Sequence, residues 1–178
     1  MKRSEFLRVA GIGTSTFVIA PFGRINTESV ITEMSSPKIV RNSEGKKINV
    51  LGDKMTFKLT GEETNGQFTL IEENNEPGVQ IPTHIHEDED EIFRVIEGEL
   101  EVKVGEDTAV LKAGDTAFAP RGIPHSWRVV GDQPAKVDLS IFPAGLEHMF
   151  EELGSLPPGP PEMEKVFSIC GKYNVRFI

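Results

Sequence analysis

The feature that most restricts the fold is a series of short runs in which apolar and polar residues alternate, from about residue 38 to residue 142. Gly, Pro, Asn and Asp separate the runs, which include MTFKLT, QFTLIEE, EIFRVIE, ELEVKV and KVDLSIF. Because successive side chains of a strand point to opposite faces, these runs predict β-strands. With no long helix between them, we expect one antiparallel sandwich or barrel.

The pattern changes to a helical one after Phe142. Apolar residues then recur at i, i+3, i+4 and i+7 on either side of the breaker PPGPP, first as Leu146, Met149, Phe150 and Leu153 and then as Met163, Val166, Phe167 and Cys170. This spacing predicts two short amphipathic helices, with Pro161 suited to the first turn of the second. We therefore divide this part of the chain into a barrel, residues 38–144, and a C-terminal helical extension, residues 145–178. Cys170 is expected to face the core.

Residues 1–25 differ from the rest of the chain. Lys2, Arg3 and Arg8 accompany an uncharged stretch of small and apolar residues, which is the outline of an export signal. The opening KRSEFLR is similar to a twin-arginine signal, except that Ser4 takes the place of the second arginine. Two alternatives stay open: export to the periplasm through this degenerate signal, or an N-terminal arm on a cytoplasmic protein. The stretch is too short to predict a membrane-spanning helix.

Charge and cysteine content exclude several classes of protein. Nineteen basic and 28 acidic residues give a net charge of −9, so most of the surface would repel a phosphate backbone. We therefore expect no nucleic-acid partner. The single cysteine excludes an internal disulfide and any thiolate-rich metal site.

Residues that could bind a metal are concentrated in PTHIHEDEDE, residues 82–91. His84 and His86 are two apart, so on a strand their side chains leave the same face. Glu91 begins the next run, and a hairpin over the intervening acids is expected to return it beside the histidines. His125 opens a later strand after a turn rich in Pro and Gly. Three imidazoles and one carboxylate suit one divalent ion of Mn, Fe, Co, Ni, Cu or Zn.

The remaining candidates receive simpler interpretations. The acids between His86 and Glu91, residues 87–90, are interpreted as a solvated loop. His148, the fourth histidine, falls outside the apolar stripe of the first predicted helix and is interpreted as exposed. Neither is assigned to the site.

Two spaced motifs resemble those of the cupin superfamily. The first is Gly78, five residues, His84-Ile85-His86, four residues, Glu91, six residues and Gly98; the second is Gly114, five residues, Pro120-Arg121-Gly122, two residues and His125. Val129 replaces the asparagine that usually ends the second motif. The resemblance implies an all-β double-stranded β-helix, or jelly roll, that holds a metal between the three histidines and Glu91. Single-module cupins are commonly dimers, so it also implies a homodimer.

Strand parity predicts what else faces such a site. Phe93 is two residues from Glu91 and Trp127 two from His125, so both should point inward, with Phe118 a weaker candidate. Arg94 and Arg128 are out of phase and should point away. A pocket of aromatic residues without a cation suits a small planar or apolar substrate.

The tail carries a second resemblance. FPAGLEHMFEELG and the closing YNVRF are similar to the C-terminal extension of single-domain cupins grouped with quercetin dioxygenase. That resemblance implies a metal-dependent dioxygenase that inserts dioxygen into a flavonol or similar enol. Separately, we expect Glu91 to act as a general base, because a carboxylate on a labile metal can detach and accept a proton. Two alternatives remain: a non-catalytic cupin whose metal organises a small-ligand pocket, and a cupin isomerase. The isomerase would need a further inward acid–base pair, which strand parity does not supply.

Overall fold

The computed structural model describes residues 36–178, so the segment that resembles an export signal lies outside the described residues. Ten strands and one short helix occupy the barrel region: β1 Lys46–Val50, β2 Asp53–Leu59, α1 Gly61–Thr64, β3 Thr69–Asn75, β4 Gln80–His86, β5 Asp90–Glu97, β6 Glu99–Val104, β7 Asp107–Lys112, β8 Thr116–Ala119, β9 His125–Val130 and β10 Ala135–Phe142. Helices α2 Leu146–Gly154 and α3 Met163–Lys172 follow, and β11 Val175–Phe177 comes last.

The strands form two antiparallel sheets. One has six strands in the order β1-β2-β3-β10-β5-β8, and the other has five in the order β11-β4-β9-β6-β7. Neighbours in each sheet are mostly distant in sequence, as in a jelly roll, where the chain passes repeatedly between two sheets. The predicted all-β jelly roll with two C-terminal helices is confirmed.

Alternation along the strands places the core between the sheets. Val137, Leu139 and Ile141 of β10 are each at most 2% exposed. In the register, Leu139 lies opposite Ile71 of β3 on one side and Phe93 of β5 on the other. These inward residues make a continuous apolar layer, so the strand pattern read from the sequence fixes which side chains line the barrel.

The predicted hairpin between the histidines and Glu91 is wrong. Strand β4 belongs to the five-stranded sheet, whereas β5 pairs with β10 and β8 in the six-stranded sheet. The acidic segment therefore carries the chain from one sheet to the other. Glu91 approaches the histidines because it faces them across the barrel.

The C-terminal extension packs on the barrel and adds a strand to it. Helix α2 buries its whole predicted stripe, which is Leu146, Met149, Phe150 and Leu153. Helix α3 buries only Val166 and Cys170, since Met163 and Phe167 are each 49% exposed. Pro161 lies before this helix and not in its first turn, because Glu162 has an extended backbone and forms the N-cap. Strand β11 then pairs with β4, opposite the candidate ligands.

The described helices are all short. None of those within residues 36–178 is long and apolar enough to cross a membrane.

Glu147 joins the extension to the barrel. Its buried carboxylate accepts hydrogen bonds from the Gly61 amide at 2.8 Å, the Thr69 hydroxyl at 2.6 Å and the Gly145 amide at 2.7 Å. Although burial alone would raise the pKa of Glu147, these hydrogen bonds outweigh it and lower the pKa. The ionised carboxylate therefore fixes the start of α2 against β3 and α1.

Replacing Glu147 by Ala should lower the free energy of unfolding by about 2–4 kcal/mol, because three donors lose a charged acceptor in a buried place. Urea unfolding measures this. The matched control is Glu151→Ala on the next turn of α2, whose ion pair with Lys46 is exposed and should be worth less than about 1 kcal/mol. Equal losses in the two variants would show that Glu147 does not join the extension to the barrel.

Candidate metal centre

The structure brings the four predicted donors together inside the barrel. His84 and His86 leave the inner face of β4, and His125 opens the neighbouring strand β9 directly opposite His84. Glu91 faces them from β5 of the other sheet. All four residues are buried, and their donor atoms lie within 4.8 Å of one another. Opposite ligands of one ion with bonds of roughly 2 Å are about 4 Å apart, so the cluster is close to the size that one ion requires.

Two backbone carbonyls fix the orientation of two imidazole rings. The Nδ1 atom of His84 lies 2.8 Å from the carbonyl oxygen of Pro82, and Nδ1 of His125 lies 3.0 Å from that of Ile123. A carbonyl oxygen can only accept, so in both rings Nδ1 carries the hydrogen. Nε2 then keeps its lone pair and faces the centre of the cluster, as in metal-binding histidines.

A carboxylate lies beside His86 in the segment that the sequence predicted to be a solvated loop. Glu89 is only 9% exposed, and its Oε2 lies 3.7 Å from Nδ1 of His86. Both atoms are buried and have no other partner among the described residues. This pairing of a carboxylate with the outer nitrogen again leaves Nε2 of His86 for the cluster. The interpretation of residue 89 as solvated loop is therefore wrong.

The inner atoms of the cluster are mutually repulsive without a cation. Nε2 of His125 lies 3.0 Å from Oε2 of Glu91, and Nε2 of His86 lies 3.7 Å from Oε1 of Glu91. With Nδ1 carrying the hydrogen, lone pairs on nitrogen face lone pairs on oxygen in a buried place. A divalent metal or an added proton would remove this conflict. The donor set therefore fits a divalent transition metal held by His84, His86, Glu91 and His125.

The charges in the cluster follow from this arrangement. Burial, and then the neighbouring imidazoles, lower the pKa of His84 to about 4. Burial alone would lower the pKa of His86, but the carboxylates of Glu91 and Glu89 raise it. Burial alone would raise the pKa of Glu91, but the positive charges that His86, His125 and His84 carry once protonated lower it to about 2. Glu91 is therefore ionised at neutral pH.

The turn before His125 is held against both sheets. The Gly122 amide donates to the carbonyl oxygen of His86 at 2.7 Å, in a backbone conformation with φ of 75° that suits glycine. Arg121 forms a bidentate ion pair with Asp90, with nitrogen–oxygen distances of 3.1 and 2.8 Å. The Pro-Arg-Gly segment of the second motif thus connects β4, β5 and β9, the three strands that carry the four candidate ligands.

A small cavity adjoins the cluster. Its volume is about 70 Å³, and its lining includes His84, His86 and Glu91 but no lysine or arginine among the described residues. The C-terminal extension closes it with side chains that include Phe150, Val166 and Phe177. A groove of about 800 Å³ passes outside the barrel, but none of the four donors lines it. The interior cavity is therefore the candidate binding site.

The three aromatic residues predicted to line a pocket have different positions. Trp127 is 5% exposed and lines the cavity. Phe93 points inward but does not line it, since its ring packs against His125 with centroids 6.3 Å apart. Phe118 is 56% exposed, because Ala117 and Ala119 take the inward positions of β8. The prediction for Phe118 is therefore wrong. Arg94 and Arg128 are exposed, as predicted.

Two further carboxyl groups in the cavity wall were missed. Asp53 of β2 and Glu73 of β3 are each 1% exposed and line the same cavity. The available signal was strand parity, since Glu73 is in phase with buried Ile71 in QFTLIEE. We expected strand parity to supply no additional inward acid–base pair, but parity does place two further carboxyl groups in the cavity wall.

Replacing His125 by Ala should remove most of the bound metal, because the site loses one of three imidazoles and Glu91 loses its closest neighbour. Metal analysis after dialysis against metal-free buffer measures this, with circular dichroism to verify the fold. His148→Ala is the matched control, since His148 lies exposed on α2. Full metal content in the His125 variant would show that His125 is not a ligand.

Metal content should fall as the pH falls, because protons compete with the metal for the imidazoles. Because the pKa of His86 is raised and that of His84 is lowered to about 4, this competition should start with His86 and reach His84 last. We expect full occupancy at about pH 7.5 and a large loss after dialysis at about pH 5. Unchanged metal content at the lower pH would contradict this.

Comparison with known proteins identifies the same motifs. The family model for the cupin domain matches residues 72–142, which contain all four donors. Quercetin 2,3-dioxygenase from Bacillus subtilis is 26% identical over 119 residues, which is 67% of this chain and 35% of that protein. The matches cover less than half the length of each of the curated relatives.

Solved structures share the fold. KdgF from Halomonas sp. has a TM-score of 0.56 and 20% identity, over 64% of this chain and 99% of that one. A protein from Thermotoga maritima described as a predicted oxalate decarboxylase has a TM-score of 0.55 and 24% identity, over 60% of this chain and 99% of that one. These similarities show the fold, and the match of the family model over residues 72–142, which contain both spaced motifs, identifies a cupin domain in this chain.

Proposed function

We propose that this cupin is a metal-dependent dioxygenase that acts on a small, neutral, enolic substrate. The observation that carries the proposal is the interior cavity beside three histidines and Glu91, with Trp127 in its wall and no basic residue in its lining. The similarity to quercetin 2,3-dioxygenase over 67% of the chain supports the reaction class. A redox-active metal in this donor set would supply Lewis acidity and electron transfer toward dioxygen.

The residues of the cavity have separate tasks in this proposal. Glu91 is ionised, so it is available to accept the proton that an enol loses on binding. Trp127 offers a flat apolar surface to a planar substrate. The side chains of the C-terminal extension exclude water, which favours the chemistry of a reactive enolate over competing hydrolysis.

The size of the cavity limits which substrates of the predicted class can bind. Pockets for ligands of flavonol size measure roughly 300–1,000 Å³, whereas this cavity measures about 70 Å³. A flavonol would require the C-terminal extension to move. We therefore propose a smaller enol as the substrate, with dioxygen as the second reactant. The expected homodimer stays a prediction.

The isomerase alternative gains one specific observation. Asp53 and Glu73 provide the buried acidic groups that such an enzyme requires and that strand parity around the ligands did not suggest. We rank this activity second. The similarity to the dioxygenase extends over 67% of the chain, whereas the support for an isomerase comes from two residues.

Oxygen uptake by the metal-loaded protein tests the proposed function. Acetylacetone, a small planar enol, should be consumed faster than quercetin, which exceeds the cavity. His125→Ala should abolish uptake, and His148→Ala should leave it unchanged. Uptake with neither compound, in protein that contains stoichiometric metal, would contradict the dioxygenase and favour a ligand-binding cupin. Equal rates with both compounds would contradict the size argument.

A further inference from the structure

Glu73 occupies an unusual position in the cavity wall. It lies on the inner face of β3, it is 1% exposed, and its Oε1 has no hydrogen-bond partner among the described residues. An acid in such a place costs free energy unless it is neutral or meets a ligand. Because Glu73 lines the same cavity as His84, His86 and Glu91, a molecule bound there would meet its carboxyl group.

Asp53 beside it is held rigidly. Its Oδ1 accepts a hydrogen bond from Nδ2 of Asn75 at 2.6 Å, and the Asn75 Oδ1 accepts one from the Lys54 amide at 2.8 Å. The second Asp53 oxygen, Oδ2, is buried without a partner among the described residues. The Asp53–Asn75 pair therefore places a second acid in the wall that contains Glu73.

Three carboxyl groups line one cavity, and they cannot all be ionised. Glu91, as a candidate ligand, would bind a metal as a carboxylate. Burial first, and then the charges of Asp53 and Glu91, raise the pKa of Glu73 well above its ordinary value. Burial is also the main cause that raises the pKa of Asp53 to about 7. Carboxyl groups whose environments separate them in this way are suited to opposite roles in proton transfer.

We propose that Glu73 is the proton donor of the cavity, a neutral carboxylic acid that protonates the carbonyl oxygen of a small α-hydroxyketone. Three geometric observations carry this: Glu73 lines the cavity, its buried Oε1 has no hydrogen-bond partner among the described residues, and Glu91 lines the same cavity. Glu73 is then a catalytic residue distinct from the candidate ligands.

The proposed step is a balanced enolisation. Glu91 takes a proton from the carbon next to the carbonyl, so a C–H bond breaks and its electron pair forms the C=C bond. The carbonyl π electrons move to oxygen, which takes the proton of Glu73. The reverse step in deuterium oxide returns a deuteron to carbon, so solvent hydrogen is incorporated with no oxidant or reductant.

This inference rests on the proposed function only in its use of the same cavity and of Glu91 as the base. The test therefore omits oxygen. Metal-loaded protein is incubated anaerobically with dihydroxyacetone in deuterium oxide, and proton NMR follows the loss of the methylene signal. We expect the wild-type protein to accelerate the exchange and Glu73→Gln to slow it by about 100-fold or more, the usual contribution of a general acid.

Glu72→Gln is the matched control. Glu72 is the neighbouring residue on β3 and points to the opposite face, where it pairs with Lys136 at 2.9 Å. Its variant should exchange deuterium at the wild-type rate, and both variants should retain stoichiometric metal. Exchange by Glu73→Gln at the wild-type rate, or no exchange by the wild-type protein, would overturn the inference.

A second measurement is independent of turnover. Infrared difference spectra between the wild type and Glu73→Gln at neutral pH should contain the C=O band of a protonated carboxylic acid, and those between the wild type and Glu72→Gln should not. Because burial raises the pKa of Asp53 to about 7, Asp53 also contributes a C=O band, so the test is the intensity that is lost. Equal band intensity in the wild type and in Glu73→Gln would overturn the inference. If oxygen uptake fails but deuterium exchange depends on Glu73, the dioxygenase proposal is wrong and Glu73 is still the proton donor. If oxygen uptake occurs but exchange does not depend on Glu73, the dioxygenase proposal is supported and Glu73 is not the proton donor.

Discussion

The contact between Nε2 of His125 and Oε2 of Glu91, at 3.0 Å in a fully buried place, determines how the rest of the site can work. The Ile123 carbonyl holds the hydrogen of this imidazole on the outer nitrogen, so two lone pairs face each other at the centre. Only a cation between them satisfies both atoms. The carbonyl of Pro82 produces the same result at His84, and the Glu89 carboxylate, 3.7 Å from Nδ1 of His86, favours it there. Three ring nitrogens and one carboxylate therefore face one central site.

The two sheets contribute different kinds of side chain to the cavity. The inner face of the six-stranded sheet carries its acids, which are Asp53 of β2, Glu73 of β3 and Glu91 of β5; the five-stranded sheet carries the imidazoles and Trp127 on β4 and β9. The C-terminal extension closes the space between the two sheets with apolar side chains. Because the imidazoles surround Glu91, they lower its pKa when protonated, whereas burial raises the pKa of Glu73 well above its ordinary value. One cavity thus contains carboxyl groups whose pKa values are shifted in opposite directions.

The sequence predicted the parts that depend on local periodicity and motif spacing, namely the strands, the stripe of α2 and the convergence of the four donors. It failed where the result depends on which sheet a strand joins. Glu91 reaches the histidines across the barrel and not through a hairpin, and Glu89 is buried because the crossing segment folds inward against His86. Phe118 faces solvent, since smaller alanines occupy the inward positions of β8. The size of the cavity depends on the packing of the extension, which no local pattern encodes.

The central claim is that one metal ion is held by His84, His86, Glu91 and His125, and anomalous X-ray diffraction from crystals of the metal-loaded protein tests it most directly. The account predicts a single anomalous peak per chain inside the barrel, about 2.0–2.2 Å from Nε2 of each of the three histidines and from an oxygen of Glu91. A metal ion bound through the outer Nδ1 atoms, or located only on the protein surface, would contradict it.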